Sequence, residues 1–179
     1  GEVTEQTFDE RKLLDSVTRG SGTPEAVTES YAYDSEGNRT LFTDGRGNAH
    51  ATAFDGFGRV KSATDPLGNR TAMTYDDGSN VVDSRSLDGG GGLLAASGTT
   101  FDLRGRPKST ASRLWTGSDP AGARVLSTST TYDAGGNALS LTDPLGRVSQ
   151  QGFAAAERRV TATDPIGNRT EWALDGAGN

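Results

Sequence analysis

An aromatic residue followed by Asp recurs in this chain at a fixed spacing of 21 residues, starting at Tyr33, Phe54 and Tyr75. A period of this length is typical of an array of supersecondary units, none of which buries a hydrophobic core alone. The repeat therefore constrains the fold more than length does, because 179 residues without a period would suggest one globular domain.

Each repeat contains two turn signals. The first has the form Asp-x-x-Gly-Asn/Arg, as in 55–59, and the second has the form Asp-Pro-x-Gly-Asn/Arg, as in 65–69. Asp accepts backbone N–H groups at the first position of a type I turn, Pro fixes φ at the second, and Gly supplies the left-handed residue that closes a short hairpin. We therefore expect a positive φ at Gly68, Gly146 and Gly167.

The segments between the turns have a usual strand length, about six residues. Along 70–75, alternation places every second side chain, Tyr75 included, on one face. The chain is thus predicted to be all-β, an array of antiparallel β-hairpins. Two strands for each unit give about 16 strands, and a twisted sheet so wide curls, splits or closes. We expect a curved or spiralling sheet.

A second array in the same register starts at Tyr132 and continues through Phe153 to Leu174. Two replacements, Ala154 for Asp and Glu157 for Gly, are expected to weaken one turn without shifting the register. The residues predicted to carry the repeat are Tyr33, Asp34, Gly37, Phe54, Asp55, Gly58, Asp65, Pro66, Gly68, Asn69, Tyr75, Asp76, Phe101, Asp102, Gly105, Tyr132, Asp133, Gly136, Asp143, Pro144, Gly146, Phe153, Asp164, Pro165, Gly167 and Asn168.

The array is predicted to have four sections. They are a degenerate first repeat at 1–32, regular repeats at 33–76, repeats with insertions at 77–131, and regular repeats at 132–179. The extra residues of the first section are assigned to a loop at 19–24. Asp88 and the four glycines after it are predicted to be a flexible surface loop that holds the excess beyond Tyr75. The largest insertion, around Trp115, is predicted to be a longer projecting hairpin.

The two signals together resemble the YD repeat of the Rhs family. Tyr-Asp-x-x-Gly-Asn stands at 33–38 and Thr-Asp-Pro-x-Gly-Asn-x-Thr at 64–71, and the resemblance extends roughly over 8–179. The family includes bacterial polymorphic toxins, the shell of insecticidal toxin complexes, wall-associated proteins and animal teneurins. The resemblance implies a β-strip wound into a hollow shell, of which this chain is a fragment. Its implied partners are the rest of the shell and an encapsulated C-terminal toxin.

Composition excludes several classes of function. A net charge of −6 and a pI near 4.8 disfavour nucleic acid as a partner. The absence of Cys excludes a disulfide scaffold and a thiol nucleophile, and it fits a secreted bacterial protein. No stretch approaches the roughly 20 apolar residues of a membrane span. The first residues lack a signal-peptide pattern, which also favours a fragment.

The many carboxylates suggest calcium or a catalytic pair, but a turn role already explains most of them. The Gly-Gly-x-Gly-x-Asp spacing of calcium-binding repeats is missing. His50, the single histidine, is predicted to be a sheet residue, and no Gly-x-Ser-x-Gly elbow is present. No catalytic, metal-binding or cofactor-binding residue is therefore predicted.

Two hypotheses for function follow. The first is a non-catalytic segment of a shell, secreted or on the surface of a bacterium, that encloses or displays a toxin. The second is a carbohydrate-binding or cell-surface-binding module, for which Trp115 and Trp172 are the candidate platforms, although Trp172 is assigned to sheet packing. The aromatic row of the repeat separates the two, because it is buried under the first hypothesis and exposed under the second.

Overall fold

The computed structural model describes residues 3–114, 124–154 and 158–175. These residues form fifteen β-strands and no helix, which confirms the predicted all-β array of antiparallel hairpins. The strands are β1 (Thr4–Phe8), β2 (Leu14–Arg19), β3 (Val27–Tyr33), β4 (Arg39–Thr43), β5 (Ala49–Phe54), β6 (Val60–Thr64), β7 (Arg70–Tyr75), β8 (Val81–Leu87), β9 (Leu93–Phe101), β10 (Pro107–Leu114), β11 (Arg124–Tyr132), β12 (Ala138–Thr142), β13 (Val148–Phe153), β14 (Arg159–Thr163) and β15 (Arg169–Glu171). Trp115 and Glu157 lie outside the described residues, as does the tip of the hairpin predicted around Trp115.

The chain divides into two compact units, and the strand order follows the chain order in each. The first unit comprises Gly1–Thr74 and Ser84–Leu94, and the second comprises Tyr75–Asp83 and Ala95–Asn179. Strands β1 to β7 pair consecutively and antiparallel in the first unit. Strands β9 to β15 do the same in the second. The predicted repeat boundaries and the curved course of the sheet stay predictions.

The hairpins of the two turn signals differ by a β-bulge. In the hairpin of β5 and β6, Phe54 pairs with Val60 but Ala53 pairs with Ser62, so Lys61 is an extra residue. The same shift occurs at five further row aromatics, Phe8, Tyr33, Phe101, Tyr132 and Phe153. The second hairpin of a repeat has no shift, as Thr64 pairs with Arg70 and Ala63 with Thr71. In these six hairpins, the bulge lies on the strand that follows the aromatic residue.

The bulge keeps the aromatic row on one face although the period is an odd number. Paired residues share a face, and neighbouring residues along a strand alternate. The aromatic residue of the next repeat lies five residues after the first residue of β7. Without the extra residue of the bulge, these five alternations would place it on the opposite face of the sheet. The extra residue changes the face once more, so the aromatic residue returns to the original face. The observed register places Phe8, Tyr33 and Phe54 on one face of the first unit. It places Phe101, Tyr132 and Phe153 on one face of the second.

The four glycines lie at the surface, as predicted, but the turn they form does not hold the excess of residues predicted there. Asp88 and Gly89 to Gly92 form a closed five-residue turn, in which Asp88 N–H donates to the carbonyl of Gly92 at 2.8 Å. The extra residues lie in the strands instead, since β8 and β9 have 7 and 9 residues where β6 and β7 have 5 and 6. The loop predicted at 19–24 does occur, between β2 and β3, and the hydroxyl of Thr23 donates to the Gly20 carbonyl at 2.8 Å within it.

The described residues hold almost no hydrophobic core. Val17, which is 7% exposed, is the only buried hydrophobic residue among them. Large apolar side chains at several turn tips lie in solvent, including Phe57 at 84% and Ile166 at 83% exposure. The fold is therefore held mainly by the strand ladders, by the turns and by half-buried contacts on the sheet faces.

Candidate functional site

A five-residue turn closed by its own Asp is the recurring feature of the chain. At Asp65, the backbone N–H donates to the carbonyl of Asn69 at 2.9 Å, and Gly68 N–H donates to the Asp65 carbonyl at 3.0 Å. The carboxylate Oδ1 accepts the N–H groups of Leu67 and Asn69 at 2.9 and 2.8 Å, and Oδ2 accepts Asn69 Nδ2 at 2.8 Å. The side-chain hydrogen bond from Asn69 outweighs desolvation, and with the backbone donors it lowers the pKa of Asp65.

Both sequence signals produce this one backbone geometry. The pair of closing backbone hydrogen bonds occurs in the turns that begin at Asp9, Asp34, Asp44, Asp55, Asp65, Asp76, Asp88, Asp102, Asp133, Asp143 and Asp164. The turn at Asp44 was not among the predicted ones, although Asp44 begins an Asp-x-x-Gly-Asn match. Gly68, Gly146 and Gly167 have φ of +83°, +77° and +93°, as predicted. Lys12 and Ser79 take the same position with φ of +66°, where a side chain is disfavoured.

Arg can take the last position of the turn and then links neighbouring turns. Arg106 Nε donates to Asp102 Oδ2 at 2.7 Å, as Asn does elsewhere, and its guanidinium lies 4.4 Å from the ring centroid of Tyr132. The same guanidinium donates to the carbonyl of Asp133, at the start of the next turn of this kind, at 3.2 Å. The Arg106 turn therefore adds a contact between repeats.

The turn carboxylates are engaged by their own turns, which leaves them poorly suited to other chemistry. Among the described residues, no group of three or more His, Cys, Asp or Glu is placed to hold a metal ion. In the same residues, no helix has the length and hydropathy needed to cross a bilayer. His50 lies in β5, as predicted, and its side chain faces solvent.

The aromatic row is neither buried nor fully exposed. Phe54 and Tyr132 are half-buried, and Phe8 at the edge is 58% exposed, so the row is intermediate between the buried state expected of a shell and the exposed state expected of a binding module. The hydroxyl of Tyr33 donates to the carbonyl of Leu14 at 3.0 Å, and that of Tyr132 donates to Pro107 at the equivalent position at 2.8 Å. Tyr therefore ties its strand to the first residue of the preceding strand, directly beside the bulge.

A stack of three rings on adjacent strands was missed by the sequence analysis. The Tyr31 and Phe42 ring centroids are 5.4 Å apart with an interplanar angle of 26°, and those of Phe42 and His50 are 5.8 Å apart with 27°. Arg39 lies 5.5 Å from the Phe42 centroid, and the Tyr31 hydroxyl donates to Glu29 at 3.1 Å. Only the cross-strand register brings these rings together, because Tyr31 pairs with Phe42 and Phe42 pairs with His50.

An open cavity of about 440 Å³ lies beside His50 in the first unit. Its lining includes His50, Thr52, Ala63, Asp65, Thr71 and Leu94. Trp172 is 39% exposed, and the guanidinium of Arg159 on strand β14 lies 4.8 Å from its ring centroid. This tryptophan and the ring stack are two aromatic surfaces open to a ligand in the described residues.

Residues 54–91 match the RHS repeat family model. They span the turns at Asp55, Asp65, Asp76 and Asp88, whose common closure is described above. Residues 54–91 carry the RHS repeat. The resemblance to the Rhs family that the aromatic-Asp pairs and Asp-Pro turns indicated is thereby confirmed, and this part of the chain is a structural RHS segment.

Solved structures with a similar strand course include TcdB2-TccC3-TEV, which is 14% identical and has a TM-score of 0.41 over 98% of this chain and 13% of that chain. The Tc holotoxin pore of Photorhabdus luminescens is 16% identical, with a TM-score of 0.38 over 98% of this chain and 12% of that chain. The chain spans about an eighth of the length of these proteins. No curated protein sequence matches it significantly.

Proposed function

We propose that this chain is a non-catalytic wall segment of an Rhs-type shell that encloses or displays a toxin, secreted by a bacterium or held on its surface. The RHS repeat match at 54–91 carries the proposal. Enclosure is what the resemblance to the Rhs family implies, and the physical properties of the sheet support a wall.

A wall extends by the addition of repeated units, and in this chain the hydrogen bonds that close each turn lie within that turn. The hydrogen bonds of the Asp65 turn lie within five residues, and one bulge in each repeat restores the same face at the next aromatic. A globular domain instead needs a second layer to cover its sheet. Among the described residues, Val17 alone reaches a buried hydrophobic position, so no such layer covers either face.

The first strand supports further repeats as the partner. Strand β1 pairs with β2 on one side only, and all five of its residues, Thr4–Phe8, are exposed. A strand with unpaired N–H and C=O groups along one side is an association hazard unless another strand covers it. In an Rhs shell, the adjacent strand of the wall would provide that cover.

A carbohydrate-binding module is the second candidate, and the ring stack of Tyr31, Phe42 and His50 favours it. The three rings follow one another across strands, and His50 is exposed. Sugar rings pack on aromatic faces, and the nearby Arg39 and Glu29 would supply hydrogen-bonding groups.

Protease protection of the cargo tests the shell in the natural gene product that contains this chain. We expect the toxin segment to resist protease in the intact protein and to be cut after a wall-destabilising change such as Gly89→Ala. Cleavage of the toxin segment at the rate of the same segment expressed alone would refute enclosure.

A glycan array tests the second candidate. Under the shell proposal, the chain binds no glycan. Specific binding that disappears in Phe42→Ala, with protease protection unchanged, would replace the shell by the binding module. The matched control is Phe57→Ala, because Phe57 is an exposed ring at a turn tip outside the stack.

A further inference from the structure

Four Asp-Gly sequences lie within the described residues, and one differs from the rest. Asp44, Asp55 and Asp88 each occupy the first position of a turn, whereas Asp77 occupies the second position of the turn that begins at Asp76. Asp-Gly is the sequence in which an aspartate side chain most readily reacts with the following backbone nitrogen, because Gly has no Cβ to obstruct the approach. The four sites therefore share a local sequence and differ in structure.

Three of the four carboxylates are held by hydrogen bonds. Oδ1 of Asp44 accepts the N–H groups of Arg46 and Asn48 at 2.8 and 2.9 Å, and Oδ2 accepts Asn48 Nδ2 at 2.8 Å. Asp55 is held in the same way, with Arg59 in place of Asn. Oδ1 of Asp88 accepts two backbone N–H groups, at 2.9 and 2.8 Å. The side-chain hydrogen bond of Asn48 is the main cause that lowers the pKa of Asp44, which disfavours its reactive, protonated form.

Asp77 has none of these restraints. Its side chain is exposed and makes no hydrogen bond or ion pair with the described residues. Asp76 fills the capping position instead, where it accepts Asn80 N–H at 2.8 Å and Asn80 Nδ2 at 2.9 Å. The turn is also strained, because Ser79 has a φ of +66° where Gly stands in most other turns. A strained turn opens more often, and opening lets the Gly78 nitrogen reach the Asp77 side chain.

We propose that Asp77 is a site of spontaneous isoaspartate formation in the folded chain. The backbone nitrogen of Gly78 attacks Cγ of the protonated Asp77 carboxyl group. A bond forms between N and Cγ, and a carboxyl oxygen leaves as water with the carboxyl proton and the amide proton. Water then adds to one of the two carbonyls of the succinimide. Opening at the side-chain carbonyl restores Asp, and opening at the main-chain carbonyl leaves isoaspartate.

The product has one more carbon in the main chain, inside a turn that is closed by fixed atoms. Asp76 N–H donates to Asn80 and Ser79 N–H donates to Asp76, both at 3.0 Å. The added carbon lies between these donors and acceptors, so isomerisation removes the closure of this turn. Isoaspartate formation at Asp77 during ageing of the protein would thus disrupt the turn between β7 and β8.

Heavy-oxygen labelling of the full chain tests the proposal, since each succinimide that hydrolyses takes one oxygen from water. Trypsin separates the four sites into peptides 40–46, 47–59, 71–85 and 86–104, each with one Asp-Gly. After incubation at physiological temperature in slightly acidic heavy-oxygen water, we expect peptide 71–85 to gain label several times faster than the other three. Fragmentation should place the label at Asp77. In concentrated urea, the four rates should converge.

Two variants separate the causes. Asp77→Glu forms a six-membered ring far more slowly, so the label in peptide 71–85 should disappear while the turn stays intact. Ser79→Gly removes the left-handed strain, which should slow labelling by up to about tenfold. Equal labelling of all four peptides in the folded chain would overturn the proposal. Fast labelling of Asp77 that Ser79→Gly leaves unchanged would overturn the role of strain.

Discussion

The contact between the turns at Asp65 and Asp88 predicts a graded response to Gly→Ala substitution. Gly68 has a φ of +83°, and a Cβ built on it would lie 3.2 Å from the Cα of Gly89. Gly89 has no positive φ, but a Cβ on it would lie 2.5 Å from the carbonyl oxygen of Leu67. Gly47 and Gly146, with φ of +84° and +77°, would meet no atom within 4 Å. The four positions therefore separate backbone strain from steric overlap.

The magnitudes follow from these two terms. A side chain in the left-handed region costs about 1–2 kcal/mol, and Ala returns roughly 0.4–1 kcal/mol by restricting the unfolded chain. Gly47→Ala and Gly146→Ala should each lower the free energy of unfolding by about 1 kcal/mol. Overpacking costs about 1–3 kcal/mol, so Gly89→Ala should cost roughly 1–2 kcal/mol through overlap alone. Gly68→Ala combines both terms and should cost about 2 kcal/mol.

Urea unfolding of the full chain, followed by circular dichroism of the strand signal, measures these differences. Repeat arrays need not unfold in one step, so hydrogen exchange at the amides of β6 and β7 provides a local readout. Gly47 is the matched control within the same compact unit, and Gly146 is the control in an identical Asp-Pro-Leu-Gly sequence. The reasoning fails if Gly68→Ala is no more destabilising than Gly47→Ala, or if Gly89→Ala is as stable as the original chain.

Three other outcomes are expected. Lys12→Gly should raise the free energy of unfolding by about 0.5–1 kcal/mol, because it removes a side chain from the left-handed region, and a lower urea midpoint would contradict this. Tyr33→Phe deletes the hydrogen bond to Leu14 and should lower the free energy of unfolding by about 0.5–1.5 kcal/mol in the same assay. As a control, Phe54→Leu removes no hydroxyl and should leave hydrogen exchange at the start of β2 unchanged. The pKa of turn carboxylates such as Asp65 is lowered by folding, so their stabilisation is present above the unfolded pKa of about 3.9 and is lost as the pH falls through the folded value. Urea midpoints should therefore be flat near neutral pH and fall in acid, and a midpoint that rises on acidification would contradict the role of the carboxylates.

The sequence by itself determined the period, the turns and the order of the strands. Asp65, Gly68 and Asn69 make every bond that closes their turn within five residues, so local chemistry is enough to predict it. Consecutive hairpins joined by such short turns can only pair antiparallel with their neighbours. The same locality explains the turn at Asp88, where the run of glycines predicted a flexible surface loop and the leading Asp supplies the same closure.

Only the tertiary structure decided what depends on register between strands. The bulge at Lys61 leaves no mark in the sequence of β6, because it is defined by which residue lies opposite Phe54. The stack of Tyr31, Phe42 and His50 joins residues of three different strands, and its rings meet only once that register is set. The half-buried state of the aromatic row was equally out of reach of the sequence, since exposure is set by side chains on neighbouring strands and not by the residue itself.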